Sequence, residues 1–409
     1  MPETFAPTIE AARARIAAVR PAAYARTRNA IDGAVSGLSP YITHGFVSLA
    51  EVLAGVASRH ALDVQHKFVF ELGWRAYFRH VWQHRGDAIL QSLHAGPLPD
   101  AAYASELPDD IRTARTGVPV IDEAVRTLYA TGTLHNHARM WLASYLVHVR
   151  KLHWRSGADW LYGHLLDGDL ASNHLSWQWV AGTGSRKPYL FNAENVARYA
   201  PAAWHSPGSV IDLSYEALDR MAHAPTAAPS PDPTRVAAAP GLFPPLPAIE
   251  PVCGAEPPAD LGLKAPDAAA VDGRDVWLVH PWNLGDLPGG LPADTVVIGL
   301  FVADFHRRWP WSDGRWRFVG TRMAAITVER WHGDAAAIGD ALKHARSVRS
   351  IDEPHLAPWL SRWARCEAAP ALFPPVDRRC DSFSQWWTRA TRNLGSAADL
   401  LAVNEVPAW

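Results

Sequence analysis

The sequence predicts a mostly α-helical domain at residues 1–221 and a smaller α/β domain of Rossmann-like type at residues 273–409. Three observations support this fold class. Apolar residues recur at helical spacing in the first half of the chain. Twelve of the 33 prolines lie in residues 222–272, which indicates a Pro/Ala-rich linker between the two domains. Residues 276–280 and 296–302 are short apolar runs typical of buried strands.

Helical periodicity predicts an opening helix and a long buried helix in the first domain. Residues 8–24 are rich in Ala and Arg, and Pro21 should end this helix because proline cannot continue the hydrogen-bond ladder. Residues 64–84 carry apolar side chains at helical spacing, namely Val64, Phe68, Leu72, Tyr77 and Val81. We therefore expect a buried helix at residues 64–84.

The second domain combines its two predicted strands with two stretches of helical character, at residues 315–330 and 381–392. The sequence contains no internal repeat and no glycine-rich phosphate loop of the GxGxxG or Walker type. The α/β prediction therefore depends on strand and helix patterning alone.

Composition limits the classes of partner. The formal net charge of −2 argues against a broadly basic nucleic-acid-binding surface. Residues 1–205 are mildly positive, with 20 Lys and Arg against 17 Asp and Glu, so any contact with DNA should be local. The 19 Trp residues suit stacking on cofactors or bases as well as packing.

The three cysteines are too few and too scattered for a disulfide framework or an iron–sulfur cluster. The sequence shows no signal segment and no run of 18 apolar residues. We expect a cytoplasmic monomer that binds neither a membrane nor a metal. His135 and His137 do not change this expectation, because imidazoles two positions apart on a helix point away from each other.

Residues 165–183 carry the most unusual pattern in the chain. They read as a loop that enters a helix, with Asp167 and Asp169 near its start, where carboxylates are favoured. Helical periodicity places Asp169, Asn173 and Trp177 on one face. This pattern alone leaves two interpretations open, a buried structural network with capping acids or a functional site.

Together with residues 116–154, this stretch resembles the flavin-binding core of the DNA photolyase/cryptochrome family. The family's TG-x-P-x-x-D, HN-x-x-R-M and DGDLA-x-N-x-x-x-WQW motifs occur here in order and at similar spacing. The resemblance extends from about Tyr24 to about Pro201. It implies a helical domain that binds FAD non-covalently.

The resemblance implies a set of FAD-binding residues: Tyr24, Ser36, Leu38, Ser39, Arg75, Asn136, Arg139, Asp167, Asp169 and Asn173. Small residues in the loop 32–39 could bring backbone N–H groups close to a phosphate. The loop could equally be an ordinary helix start, with Ser39 as N-cap and Pro40 as first helical residue. Val35 and Gly37 replace the family's usual Thr and Arg.

Residues 71–80 resemble the family's E-x-x-W-R-x-x-Y-R-H signature, which implies that Glu71 hydrogen-bonds the damaged base and Trp74 stacks on it. The alternative for Glu71 and Arg75 is a solvated helix pair. The implied catalytic residues are Glu71, Trp74, Asn136, Met140 and Asn173. Thr133 and His137 depart from the family, which usually carries an aromatic and an Arg there.

The resemblance also implies that Trp177 and Trp154 carry electrons to the flavin, although core packing is the ordinary role of a Trp on an apolar helix. The third Trp of the family has no clear match, and Tyr103 lies near its expected position.

The function implied by the resemblance is light-driven repair of pyrimidine dimers in DNA by an electron from reduced FAD. The alternative is a cryptochrome-like photoreceptor that has the same fold and flavin but repairs nothing. The family usually begins with an α/β domain that holds an antenna pigment. Residues 276–318 weakly resemble the start of that domain, which suggests a permuted order, and the antenna chromophore stays unidentified.

Overall fold

The computed structural model describes residues 5–228 and 246–403. These residues form two compact units that alternate along the chain. The first unit contains residues 22–35 and 84–251, and the second contains 5–21, 36–83 and 252–403, apart from the gap just given. The predicted boundaries at 221 and 273 stay a prediction.

The described residues contain eighteen α-helices. In chain order they are α1 Ile9–Ala18, α2 Pro21–Thr27, α3 Ser39–Thr43, α4 Leu49–Ala57, α5 Lys67–Arg85, α6 Asp109–Arg112, α7 Pro119–Thr131, α8 Asn136–Ser144, α9 Trp154–His164, α10 Leu170–Ala181, α11 Ala193–Tyr199, α12 Tyr215–His223, α13 Ala303–Arg308, α14 Asp313–Ile326, α15 Ala335–Leu342, α16 Ala357–Trp363, α17 Phe383–Ala390 and α18 Ala397–Val403.

The first unit is helical, and its core lies among α7, α8, α9 and α10. Pro119 occupies the first turn of α7, where its missing N–H is tolerated, and Gly132 ends the helix at a positive φ of 64°. A π-helical turn, Tyr145–Val149, follows α8. The core includes Trp141, Leu146 and Trp177, all at most 3% exposed. These helices therefore form a rigid base for the polar residues at their ends.

The second unit contains the strands β1 Cys253–Gly254, β2 Asp275–Val279, β3 Val296–Val302, β4 Trp311–Ser312, β5 Glu329–Gly333, β6 Ser347–Ile351 and β7 Arg365–Glu367. Five of them form a parallel sheet in the order β5-β3-β2-β6-β7. The chain builds outward from β2 in one direction and then crosses to the other side of β2. This doubly wound topology confirms the predicted Rossmann-like α/β fold.

Strand and helix predictions succeed where one local pattern dominates. The runs 276–280 and 296–302 become β2 and β3, and residues 64–84 become α5. Pro21 does not end one long helix, because α1 already ends at Ala18 and Pro21 begins α2, a position that proline favours. The stretch 315–330 is only partly helical, since Thr327 is extended and β5 begins at Glu329.

The predicted linker 222–272 lies partly outside the described residues. Its residues 246–251 belong to the first unit, where Ala248 N donates to Thr113 O. Glu250 accepts hydrogen bonds there from Arg112, Trp160 and His164. The following residues belong to the second unit, where Val271 is fully buried. The end of the Pro-rich stretch is therefore fixed by specific contacts.

Within the described part of the chain, no helix is both long enough and apolar enough to cross a membrane.

Candidate functional site

A buried ion pair lies immediately before α10. Arg139 Nη2 donates to both carboxylate oxygens of Asp167, at 2.8 and 2.9 Å, and Arg139 Nε donates to Leu134 O at 2.7 Å. The Asp167 side chain is 4% exposed, so this carboxylate is buried beside the Arg139 guanidinium. The ion pair therefore fixes one guanidinium and one carboxylate next to each other just before α10 begins.

Asp169 caps α10. Its Oδ1 accepts a hydrogen bond from Ser172 N at 2.8 Å, and the residue is 1% exposed. Because α10 begins at Leu170, Asp169 lies just outside the helix whose face it was predicted to share. Asn173 lies one turn further and donates from Nδ2 to Ala158 O at 2.8 Å. The Asp169 carboxylate and the Asn173 amide are therefore each held by a separate, specific hydrogen bond.

The start of α8 contributes a second polar group. His135 caps the helix, with its Nδ1 accepting from His137 N at 3.1 Å. Burial, followed by the charges of His137 and Arg139, lowers the pKa of His135 to about 4, so this ring is neutral at pH 7. Asn136 is exposed, and its Nδ2 lies 3.7 Å from Sδ of the half-buried Met140. His135 is thus a cap and not a helical partner of His137.

A buried polar atom next to these residues, Ser172 Oγ, has no hydrogen-bond partner among the described residues, and it lies in the chain between Asp169 and Asn173. Buried polar groups are normally hydrogen-bonded, so such an atom suits a polar ligand. The donors, acceptors and charge pair of the first unit therefore fit a ligand such as FAD.

Trp177 and Trp154 are both 3% exposed and belong to the core of the first unit. Trp177 packs on Gly157 of α9, where a Cβ would meet the indole at 2.4 Å. Trp154 begins α9 and donates from Nε1 to Ser92 Oγ at 2.9 Å. Trp154 is thus part of α9, and Trp177 packs against the same helix. The electron-transfer role of both residues stays a prediction.

The half-buried Tyr103 is connected to Trp154 through His153. The Tyr103 and His153 rings lie 6.2 Å apart, and the His153 and Trp154 rings lie 5.8 Å apart. Tyr24, also in the first unit, is a half-buried residue of α2.

The predicted phosphate loop, residues 32–39, leads into α3, and its residues from Ser36 onward belong to the second unit. The helix begins at Ser39 with Leu38 as N-cap, so Ser39 is the first helical residue and not the cap. Leu38 N donates to Ser36 Oγ at 3.4 Å, and Gly37 has a positive φ of 60°. Leu38 is buried, with 1% of the whole residue exposed.

Helix α5 carries the predicted substrate residues Glu71, Trp74 and Arg75, all half-buried. Arg75 Nη1 donates to Thr43 Oγ1 at 2.8 Å. The Trp74 ring stacks on Phe383 of α17, with centroids 4.0 Å apart and planes 11° apart. One face of Trp74 is therefore covered by a residue that the sequence did not connect with it.

The predicted site residues thus divide between the two units. The first unit brings Arg139 to Asp167 and places the α8 and α10 residues around one helical core. The second unit holds Ser36, Leu38 and Ser39 before α3, and Arg75 of α5 contacts α3 through Thr43. The functional role of each residue stays a prediction.

Sequence reasoning missed a buried histidine inside the α10 motif. His174 is fully buried, and its Nε2 lies 2.8 Å from Asp159 Oδ1 while Nδ1 lies 2.9 Å from Leu170 O. Its position between Asn173 and Leu175 was the available signal. His174 connects α10 to α9 one residue after the amide of Asn173.

A second buried ion network lies at the carboxyl edge of the parallel sheet. Glu353, which follows β6, accepts from Arg79 Nη1 of α5 at 2.6 Å and pairs with His355 Nδ1. Although burial alone would raise it, the charges of Arg79 and His355 lower the pKa of Glu353 to about 2. The His355 ring stacks on Trp282, which follows β2, with centroids 4.2 Å apart.

This network occupies the point between β2 and β6 where the strand order reverses. In open α/β sheets that crevice usually receives a ligand. Here Arg79 and Trp82 of α5 approach it, and Trp82 meets His355 edge-on at 4.8 Å. In the second unit, the crevice between β2 and β6 is therefore contacted by residues of helix α5.

Comparison with known proteins identifies the matched region. Residues 68–204 match the family described as the FAD binding domain of DNA photolyase. This match confirms the predicted family resemblance and the predicted cofactor, FAD.

Two curated relatives illustrate the range of names. A deoxyribodipyrimidine photo-lyase of Streptomyces griseus is 38% identical over 152 residues, which cover 37% of this chain and 33% of the relative. A cryptochrome DASH of Idiomarina loihiensis is 31% identical over 208 residues, which cover 48% of this chain and 46% of the relative. The chain thus spans about a third to a half of the curated relatives it matches.

Among solved structures, a cryptochrome of Synechocystis is 28% identical, with a TM-score of 0.43, and the match covers 47% of this chain and 43% of that one.

Proposed function

We propose that this chain, which contains the FAD-binding domain of the photolyase/cryptochrome family, is a photolyase-like enzyme that uses light and FAD to split pyrimidine dimers in DNA. The observation that carries the proposal is the helix α5. It presents Glu71 and Trp74 one turn apart within the matched domain, both half-buried and so able to reach a ligand. The name of the Streptomyces relative, a deoxyribodipyrimidine photo-lyase, supports the same reaction.

Residues of the first unit would hold FAD through charge and hydrogen bonding. Arg139 and Asp167 would set the charge beside the cofactor, because neither can move without breaking the charge-assisted hydrogen bonds from Arg139 Nη2 to both carboxylate oxygens. Asp169, Asn173 and Asn136 would supply acceptor and amide groups, with Tyr24 beside them. FAD, when bound and reduced, supplies the light-excited electron donor, and the protein supplies orientation and electrostatics.

In the second unit, Ser36, Leu38 and Ser39 would supply hydroxyl and backbone groups to the phosphates, and Arg75 would add charge. The Arg75 guanidinium is oriented by its hydrogen bond to Thr43. Val35 and Gly37 supply no replacement for the hydroxyl and the charge that the family usually carries there.

The damaged base would be recognised by stacking and by hydrogen bonding. A base extruded from the duplex can stack on Trp74, and stacking on an aromatic is worth roughly 1–3 kcal/mol. Glu71 would hydrogen-bond the polar edge of the base, and Met140 would offer an apolar contact beside the Asn136 amide. Trp177 and Trp154 would carry electrons to FAD through the core of the first unit.

Repair of a dimer-containing single-stranded oligonucleotide under blue light tests the proposal. The reduced protein should split the dimer and restore the two pyrimidines, while dark samples should show no reaction. Trp74→Ala should weaken binding of the dimer about ten- to a hundredfold and leave FAD content nearly unchanged. A parent protein that binds FAD and photoreduces normally but splits no dimer would contradict repair.

The second candidate is a cryptochrome-like photoreceptor. The Idiomarina relative is named cryptochrome DASH, and Thr133 and His137 replace residues that the family usually carries near flavin and DNA. This function predicts a light-dependent change in the bound flavin without dimer affinity. The repair assay therefore separates the two candidates.

A further inference from the structure

Helix α17 covers one side of α5 along its length. The residues of α5 that meet α17 or the segment before it recur every three or four positions, with one adjacent pair, which defines a single helix face. They are Phe70, Gly73, Trp74, Tyr77 and His80. This face is the one that carries Trp74.

The contact between the two helices is close and anchored. A Cβ on Gly73 would meet Trp387 at 2.3 Å, so only glycine permits the indole to approach α5. Trp387 Nε1 donates to Gln65 Oε1 at 3.0 Å, and Cys380 N donates to His80 Nε2 at 3.1 Å. Trp386 and Trp387 are 3% and 6% exposed. These contacts fix the position of α17 independently of the contact between Phe383 and Trp74.

Phe383 meets Trp74 in a parallel stack, whereas the other two rings that contact Trp74 do not. Tyr77 meets the indole edge-on at 5.8 Å, and Phe78 is tilted by 41° at 5.5 Å. Phe383 is 5% exposed, while Trp74 keeps an intermediate exposure. The indole thus has one face against a buried ring and is not enclosed.

From this geometry we infer that Phe383 is a positioning residue for substrate recognition. Its ring holds the Trp74 indole in the orientation in which the opposite face stacks on the extruded base. The inference rests on the proposed function, because it gives Trp74 a base to bind. A stacked neighbour restricts rotation of the indole, so less side-chain freedom is lost when the base binds.

If the same contact served a different role, removal of the Phe383 ring would change the affinity for the dimer in the opposite direction. If Phe383 occupies the place of the base, removing its ring will expose Trp74 and tighten binding of the dimer. If Phe383 orients the indole, removing its ring will weaken binding. The direction of the change therefore decides between the two.

Four variants test the inference in the full-length protein with bound FAD. Phe383→Leu keeps an apolar side chain but removes the stack, and Phe383→Tyr keeps the stack. Phe373→Leu is the matched control, because Phe373 is equally buried and packs on Trp386 and Trp387. Phe373 is not among the rings that contact Trp74. Trp74→Phe identifies the fluorine signal of Trp74 in protein labelled with 5-fluorotryptophan.

The first readout is the fluorine spectrum without DNA. Phe383→Leu should shift and broaden the Trp74 signal, because the ring current of the stacked neighbour is lost and the indole gains freedom. Phe383→Tyr and Phe373→Leu should leave it near its parental position. An unchanged Trp74 signal in Phe383→Leu would overturn the inference, whether or not the protein repairs DNA.

The second readout is affinity for a dimer-containing oligonucleotide in the dark. Phe383→Leu should weaken binding about three- to tenfold, Phe383→Tyr should restore it, and Phe373→Leu should match the parent. Tighter binding by Phe383→Leu would overturn the inference in favour of occlusion. A parent without affinity for the dimer would overturn the proposed function, and the fluorine spectrum would still show whether Phe383 fixes the ring.

Discussion

Two buried ion networks among the described residues, Arg139–Asp167 and Arg79–Glu353–His355, differ in how far apart their partners lie in sequence. In the first unit, Arg139 and Asp167 are 28 residues apart and belong to two neighbouring motifs. In the second, Arg79 and Glu353 are 274 residues apart, and no local pattern connects them. The first network orders the residues proposed to bind FAD, whereas the second joins a helix to a sheet. Similar chemistry thus serves a proposed ligand site in one unit and an internal interface in the other.

The largest expected effect comes from Glu353→Gln in the second network. Removing one partner of a buried ion pair costs about 3–5 kcal/mol of unfolding free energy, because Arg79 keeps its charge without the carboxylate. Urea denaturation at pH 7 measures this loss. Asp313→Asn breaks an exposed pair with Arg317 and should lower the unfolding free energy far less, because solvent screens exposed charges. Equal losses in the two variants would show that Glu353 is not held by a buried charge pair.

The same network makes stability depend on pH. The pKa of Glu353 is about 2 in the folded protein against 4.5 ordinarily; burial opposes this lowering, and Arg79 and His355 cause it. A lowered folded-state pKa gives stability that is complete above pH 4.5 and is lost as pH falls from about 4.5 toward 2. Glu353→Gln should therefore flatten the stability curve in this window. An unchanged curve would assign the acid sensitivity to other groups.

A comparable change in the first unit is Asp167→Asn. We expect a loss of about 3 kcal/mol, the lower end for breaking a buried pair. The Arg139 charge left behind is on a side chain that is 27% exposed, whereas Glu353→Gln also removes the carboxylate from the fully buried His355. Most of the bound FAD should be lost as well, which denaturation and the flavin absorbance would measure together. Glu123→Gln, which alters a more exposed pair with Arg126, is the control. Full FAD content in Asp167→Asn would separate the ion pair from cofactor binding.

A smaller effect is expected at two glycines, one in each unit, that each receive an indole. Gly157→Ala would push a methyl group into Trp177, and Gly73→Ala would push one into Trp387. Overpacking of this kind costs about 1–3 kcal/mol. Only Gly157→Ala should also slow photoreduction of FAD, because Trp177 is the proposed electron carrier. Equal photoreduction rates in both variants would leave Trp177 as a core residue.

The smallest expected effect is Asn173→Asp. A carboxylate disfavours nearby negative charge, so the reduction potential of bound FAD should fall if Asn173 lies beside the flavin ring. Asn195→Asp is the control, because its side chain accepts a hydrogen bond from Trp141 and has no proposed role at the flavin. A spectroelectrochemical titration measures both variants, and the same potential in both would remove Asn173 from the flavin site.

Prediction from the sequence worked where the physical cause is local. Asp169 caps α10, apolar runs form β2 and β3, and α5 follows its apolar spacing, because each depends on neighbours within a few residues. The predicted end of the first helix near Pro21 was wrong, because a proline can either end a helix or begin one, and Pro21 begins α2.

Long-range packing could not be predicted in this way. The stack of Phe383 on Trp74 joins residues that are far apart in sequence, and neither residue's neighbours indicate the other. The small Gly73 beside Trp74 is explained only by Trp387, which arrives from α17. The substrate motif was therefore visible in the sequence, while its support was not.

The interleaving of the second unit has a consequence for synthesis on the ribosome. Helix α5 emerges early, but the residues that cover its aromatic face, from Cys380 to Trp387, are translated about 300 residues later. At roughly 5–20 residues per second, this interval lasts about 15–60 seconds. During that time Phe70, Trp74 and Tyr77 lack their final partners, so the nascent chain presents an aromatic surface of the kind that holdase chaperones bind.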